Sequence, residues 1–197
     1  MPRTYRVGCR TDRLRRRWGG IEAAIARYGP GYVWASEFEN VHATWAVVEP
    51  PFAFHGHRFR GSEQLFQLQK IPRDAWTDAD VAAFATATPQ QAFVLGQDVE
   101  LRRDWNEFRV DAMRLALRCK FTAGEDAVTV ESAPAPTLTR AELRALLTST
   151  EGRPLVSVKH DAFWGAGAGP RSTGSNMLPR LLDELRSELS AADGNRQ

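Results

Sequence analysis

Ser62-Glu63-Gln64-Leu65-Phe66-Gln67-Leu68-Gln69-Lys70 reads as a short helix with a start and a stop, and the rest of the chain is organised around it. Ser62 is placed to cap the free N–H groups, and Glu63 falls in the first turn, where the helix dipole favours a negative charge. Lys70 falls in the last turn, where a positive charge is favoured, and Pro72 pushes Ile71 out of helical geometry. At about 100° per residue, Glu63, Gln67 and Lys70 lie within roughly 60° of one another, while Leu65 and Leu68 point the other way. An acid, an amide and an amine thus share one face of a helix that is anchored by the opposite face. The simplest reading of such a face is a solvated one, so its meaning depends on the remaining chain.

Upstream, Ile21 to Tyr28 has the apolar spacing of a short helix, and Gly29-Pro30-Gly31 breaks it. Tyr32 to Phe38 and Trp45 to Val48 are aromatic and β-branched and predict short strands. Pro50-Pro51 is expected to separate them from Phe52 to Phe54, and His55-Gly56 to turn the chain into His57 to Arg60. Downstream, Asp74 to Ala87 predicts a helix with Thr77 and Asp80 as a cap pair and Val81 and Phe84 inward. A shorter helical piece follows Pro89 as far as Leu95-Gly96. Asp104 to Lys120 is the clearest helix, its apolar stripe running through Trp105, Phe108, Ala112, Leu115, Ala116 and Cys119, with Arg109, Met113 and Lys120 flanking it. Thr139 with Glu142 opens another helix, to about Ser149, inward through Leu143, Leu146 and Leu147. Leu155 to Val158 predicts a strand. A Gly-rich loop over 160–175 then leads to Asn176, which is placed to cap a last helix carrying Leu178, Leu181, Leu182, Leu185 and Leu189.

The expected fold is mainly α, an α+β type with a few short strands in one helical domain at 32–192. A basic extension with a short helix (1–31) precedes it, a loop insertion occupies 122–138, and a frayed tail follows from 193. The chain of 197 residues is long enough for a sizeable core. No apolar run approaches the roughly 20 residues that span a bilayer. No secretory signal is legible behind the Arg-rich start, and two cysteines, Cys9 and Cys119, are too few for a disulfide framework. A reducing cytoplasm is therefore expected, with no membrane partner. A net charge of +2 makes no global commitment to nucleic acid, although Arg13, Arg15, Arg16 and Arg17 form a local basic run that suits a phosphate-rich partner.

Several chemistries are excluded by spacing. Gly165-Ala166-Gly167-Ala168-Gly169 follows a strand and precedes a helix, but it fits neither a dinucleotide turn nor a P-loop. His42, His55, His57 and His160 are scattered without the paired spacing of metal ligands, so no metal and no cofactor is expected. No nucleophile elbow is present.

What remains is Glu63 and Lys70 on one early helix and Asp161 and Trp164 on one late loop. Ser62-Glu63 to Gln67 to Lys70 and Asp161-Ala162-Phe163-Trp164-Gly165 together resemble the NADAR (YbiA-like) family. So do Ser36-Glu37-Phe38, Phe54 to Phe59, Asp104-Trp105, Arg109, Met113, Lys120-Phe121 and Gly174-Ser175-Asn176. The resemblance runs from about Tyr32 to Leu189. It implies an N-glycosidase acting on a ribose-phosphate or ADP-ribose derivative, such as phosphoribosyl-amine intermediates of riboflavin synthesis. Removal of ADP-ribose from guanine in DNA and a non-catalytic nucleotide-binding module are the alternatives. Glu37 departs from the family, which has asparagine there, and this bears on substrate preference.

Breaking an N-glycosidic bond passes through a cation-like sugar carbon, which needs a nearby carboxylate, proton transfer to the departing nitrogen and an activated water. Glu63 is the expected general acid/base and Asp161 the group that orients the ribose or activates water. The resemblance implies that Lys70 forms a Schiff base with the opened sugar. Ser36, Glu37, Phe38, Gln67, Trp105, Trp164, Gly165 and Asn176 are the expected substrate-binding residues. Trp164 offers a flat face for a heterocycle, and Arg58 or Arg60 a bidentate clamp for a phosphate.

Overall fold

The computed structural model describes residues 26–29, 31–34, 47–122, 138–157, 161–167 and 173–194. Ser36, Glu37 and Phe38, the basic run, most of the Ile21 to Tyr28 helix and the body of the expected insertion lie outside them. The described residues are helix-dominated with a few short strands, as the sequence predicts. They divide into two compact units, Met1–Ser36 with Gly152–Asp183 and Glu37–Glu151 with Glu184–Gln197.

β1 is Val33–Trp34 of the smaller unit, and the sheet of the larger unit begins with β2 (Val47–Phe54). β2 pairs antiparallel with β3 (His57–Gly61) through a two-residue turn. Both turn residues, His55 (φ 49°) and Gly56 (φ 82°), take positive φ, the twist that a tight hairpin requires. Pro50 and Pro51 do not interrupt the strand as expected. Between the pairs Val47↔Gly61 and Phe52↔Phe59, β2 advances five residues and β3 two. The bulge takes up the stretch whose prolines have no N–H to give to a ladder. β4 (Leu138–Thr139) pairs parallel with β2 on its other edge.

β3 runs straight into α1 (Ser62–Leu68). Ser62 is therefore not the cap. Gly61 holds that position in extended geometry, with no side-chain cap, and Ser62 is buried inside the first turn. Next come α2 (Asp78–Thr86) and α3 (Pro89–Leu95). Each starts on a complete capping box, Thr77 with Asp80 and Thr88 with Gln91. Val81 and Phe84 point inward as their spacing predicts.

α4 (Trp105–Thr122) is the longest helix of this unit, and α5 (Arg140–Thr148) packs on it. Trp105, Ala112, Met113, Ala116, Leu117, Lys120 and Phe121 of α4 are buried. α6 (Met177–Gly194) ends in this unit. Its Glu184 and Glu188 receive Arg114 and Arg118 of α4 at 3.2 and 2.5 Å. Arg186, on the same helix, donates to Thr150 O and Oγ1 (2.6 and 2.9 Å) just beyond α5. α1 packs against α2, α3 and α4 and is the core of the unit.

The smaller unit joins β1 to β5 (Leu155–Val156) in parallel, with Arg153 Nε donating to Gly31 O at 2.8 Å. It also holds the loop 161–167 and the start of α6. Among the described residues no helix is long and apolar enough to cross a membrane.

Candidate active site

Every residue of α1 is buried, which overturns the solvated reading of its polar face. Glu63 and Gln67 are each 3% exposed, and a charged residue is seldom so buried without compensation. Gln67 Nε2 donates to Glu63 Oε1 at 2.6 Å, one turn along the helix. Gln67 Oε1 is buried and accepts no hydrogen bond, leaving an acceptor suited to a hydroxyl. Lys70, half-buried beyond the helix end, donates from Nζ to Gly96 O at 2.5 Å. Its own carbonyl accepts from Arg102 N at 2.8 Å. Burial lowers the pKa of Lys70, and the charge of Glu63 works against that shift.

Two further residues complete this cluster, and neither stood among the expected site residues. Gly96, at the end of α3, leaves the space that Gln67 fills: a Cβ there would lie 2.0 Å from Gln67 Oε1. Lys120 was expected beside the stripe of α4 and is instead within it, 0% exposed. Its pKa is lowered to about 7 by burial, against an opposing pull from Glu63. The carboxylate of Glu63 therefore acts on two amines, Lys70 and Lys120. The helical spacing Ala112, Ala116, Lys120 was the available signal for this placement.

Trp105 lies on the packing side of α1, its ring 5.3 Å from that of Phe66. Arg58 is on the exposed face of β3, whereas Arg60 is partly buried.

In the smaller unit the late loop forms a cluster of its own. Asp161 Oδ1 accepts from Phe163 N (2.7 Å) and Trp164 N (2.6 Å), so an exposed carboxylate shapes the turn that presents the indole. Trp164 is partly buried and meets Phe163 edge-on at 4.9 Å. Gly165 N donates to Asp161 O, and Gly165 O accepts from Asn176 N. Gly174 passes so close that a Cβ would stand 2.5 Å from Ala166 C.

Asn176 takes φ 51°, a conformation that asparagine tolerates better than most residues. Its backbone carbonyl accepts from Arg180 N at the start of α6. Its side chain does not close the helix end; it receives Ser157 N (3.1 Å) and donates to Leu155 O (3.0 Å). Asn176 thereby clamps the loop to β5.

The sequence profile of the NADAR domain family matches residues 27–190, which is most of the chain. The chain belongs to the NADAR domain family. The NADAR relatives it resembles include the N-glycosidase YbiA of Escherichia coli K12, 32% identical over 157 residues, 78% of this chain and 81% of that protein. The N-glycosidase Npun_R5314 of Nostoc punctiforme is 32% identical, covering 74% of each chain. The riboflavin biosynthesis protein PYRR of Zea mays is 29% identical over 86% of this chain, which spans only 24% of that longer protein. The fold is similar to the NMR structure of E. coli YbiA, with a TM-score of 0.57, 31% identity and coverage of 80% and 79%.

Proposed function

We propose that this NADAR chain is an N-glycosidase that hydrolyses the N-glycosidic bond of a ribose-phosphate or ADP-ribose derivative. The observation that carries the proposal is the buried Glu63–Gln67 pair with the half-buried Lys70 just beyond the same helix, in a chain whose relatives include proteins named N-glycosidases. Glu63, as carboxylate, steadies the positive charge that develops on the sugar carbon and takes a proton from the attacking water. The C–O bond forms and the C–N bond breaks with its electron pair on nitrogen. Glu63 then hands the same proton to that nitrogen. Gln67 Oε1 receives a sugar hydroxyl. In the proposed reaction Asp161 orients the ribose and Trp164 stacks on the leaving heterocycle.

The lowered proton affinity of Lys70 favours a covalent variant of the same reaction. Its neutral amine attacks C1 of the opened sugar, the nitrogen leaving group departs as a free amine, and water hydrolyses the resulting imine. The two routes separate experimentally. Borohydride added during turnover traps an imine as a stable adduct on Lys70, visible by mass spectrometry, and Lys70→Ala abolishes both adduct and turnover. Full turnover by Lys70→Ala rules out the covalent route and leaves the direct one.

The substrate class is the finer part of the proposal. The name of PYRR, a riboflavin biosynthesis protein, supports a phosphoribosyl-amine intermediate of riboflavin synthesis as that substrate. ADP-ribosylated guanine in DNA is the competing substrate, and it differs in one measurable respect. DNA affinity falls steeply with salt, whereas small-molecule turnover does not.

A further inference from the structure

We propose that Lys120 is a positioning residue for Glu63, its buried side chain supplying the opposite charge that holds the Glu63 carboxyl ionised for catalysis. The inference rests on the reading of Glu63 as the acid/base group. Geometry supports it first. α1 and α4 approach closely enough for Gln69 Nε2 to reach both Leu65 O (3.2 Å) and Ala112 O (3.1 Å). Ala112 and Ala116 of α4 are both 0% exposed, and α4 packs on α1. Lys120 continues the same stripe one further turn, as deeply buried as Phe121 beside it. A lysine there does not pack as well as a leucine or methionine, and its charge is costly to bury. The field of Glu63 reaches its amine.

Besides Lys120, α4 carries Glu107, Arg109, Asp111, Arg114, Arg118 and Cys119, β3 carries His57, Arg58 and Arg60, and Lys70 follows α1. α2 contributes Asp78 and the Asp80 held by Thr77, and α3 has no ionisable side chain. Burial lowers the pKa of Lys70. Lys120 has a pKa of about 7, so its charge changes across neutrality. Below that pH its ammonium stabilises the Glu63 carboxylate; above it, the support is withdrawn.

Carbon-13 NMR of the full chain tests this without substrate, so its failure is distinct from a failure of the glycosidase reading. Two titrations are compared: the Glu63 carboxyl carbon in wild type and Lys120→Met, and the Lys120 Cε carbon in wild type and Glu63→Gln. Interacting groups shift one another reciprocally. The expected result is a Glu63 midpoint that rises in Lys120→Met, and a Lys120 midpoint that falls in Glu63→Gln, each by about one pH unit or more. Wild type alone gives a check should either variant misfold: the Glu63 carbon shows a second inflection where Lys120 titrates. Unmoved midpoints, or a single Glu63 inflection in wild type, overturn the proposal. A lysine that only fills space moves neither.

Discussion

A methyl group on Gly96 would stand 2.0 Å from Gln67 Oε1 and 2.7 Å from its amide carbon, so Gly96→Ala must displace the amide that holds Glu63. We expect a fall in kcat/KM of at least tenfold, with a stability loss of about 1–3 kcal/mol from overpacking, read by kinetics and thermal unfolding. Glu63→Gln keeps the size of the side chain and removes the carboxylate that takes up and returns the proton. Turnover should fall by about 10²–10⁴-fold while circular dichroism stays unchanged. At this scale the sequence showed which residues share a helix face, because that follows from 100° per residue. It did not show that the face is buried. Burial of Glu63 and Lys120 depends on how α4 lies against α1, a non-local fact, and charged residues start from a strong expectation of exposure.

One capping box was legible, because Thr77 to Asp80 is written in four consecutive residues. The caps expected at Ser62 and Asn176, and the start expected at Asp74, were not where the sequence put them. Thr77→Ala, which removes the acceptor for Asp80 N, should cost about 1 kcal/mol of stability and leave kcat/KM unchanged. Strand limits were less legible. Pro50-Pro51 looked like a break, and only the pairing with β3 shows that a bulge carries the strand past it. The cap of α1 was misplaced by one residue for a similar reason, since the last strand residue, Gly61, takes that position.

α4 carries its own pH signature. The Lys120 pKa is lowered from 10.5 to about 7 on folding, so between those values the unfolded chain binds more protons. Stability from this group is therefore fully present above the unfolded value and is lost as pH falls through about 7. Relative to Lys120→Met, wild type should gain at most about 1.4 kcal/mol per pH unit between pH 7 and 10. Urea unfolding of the two proteins side by side measures that slope, and parallel curves would refute the assignment.

At the scale of the molecule, the expected site residues fall in both units: Glu63 and Lys70 beside α1 in one, Asp161 and Trp164 of the late loop in the other. The motif spacing that tied Glu63 and Lys70 to Asp161 and Trp164 came from family resemblance, since no local rule links residues almost a hundred positions apart. Trp164→Ala should raise KM by about 5- to 150-fold, from the loss of about 1–3 kcal/mol of stacking, with a smaller change in kcat. Glu63→Gln should act chiefly on kcat. The account is tested most directly by incubating the protein with a phosphoribosyl-amine intermediate of riboflavin synthesis and, in parallel, with ADP-ribosylated guanine DNA. Mass spectrometry then reads the products. We predict that one of these yields a free sugar and a free amine or base with wild type, and neither product with Glu63→Gln. No cleavage of either substrate, or cleavage by Glu63→Gln at the wild-type rate, would contradict it.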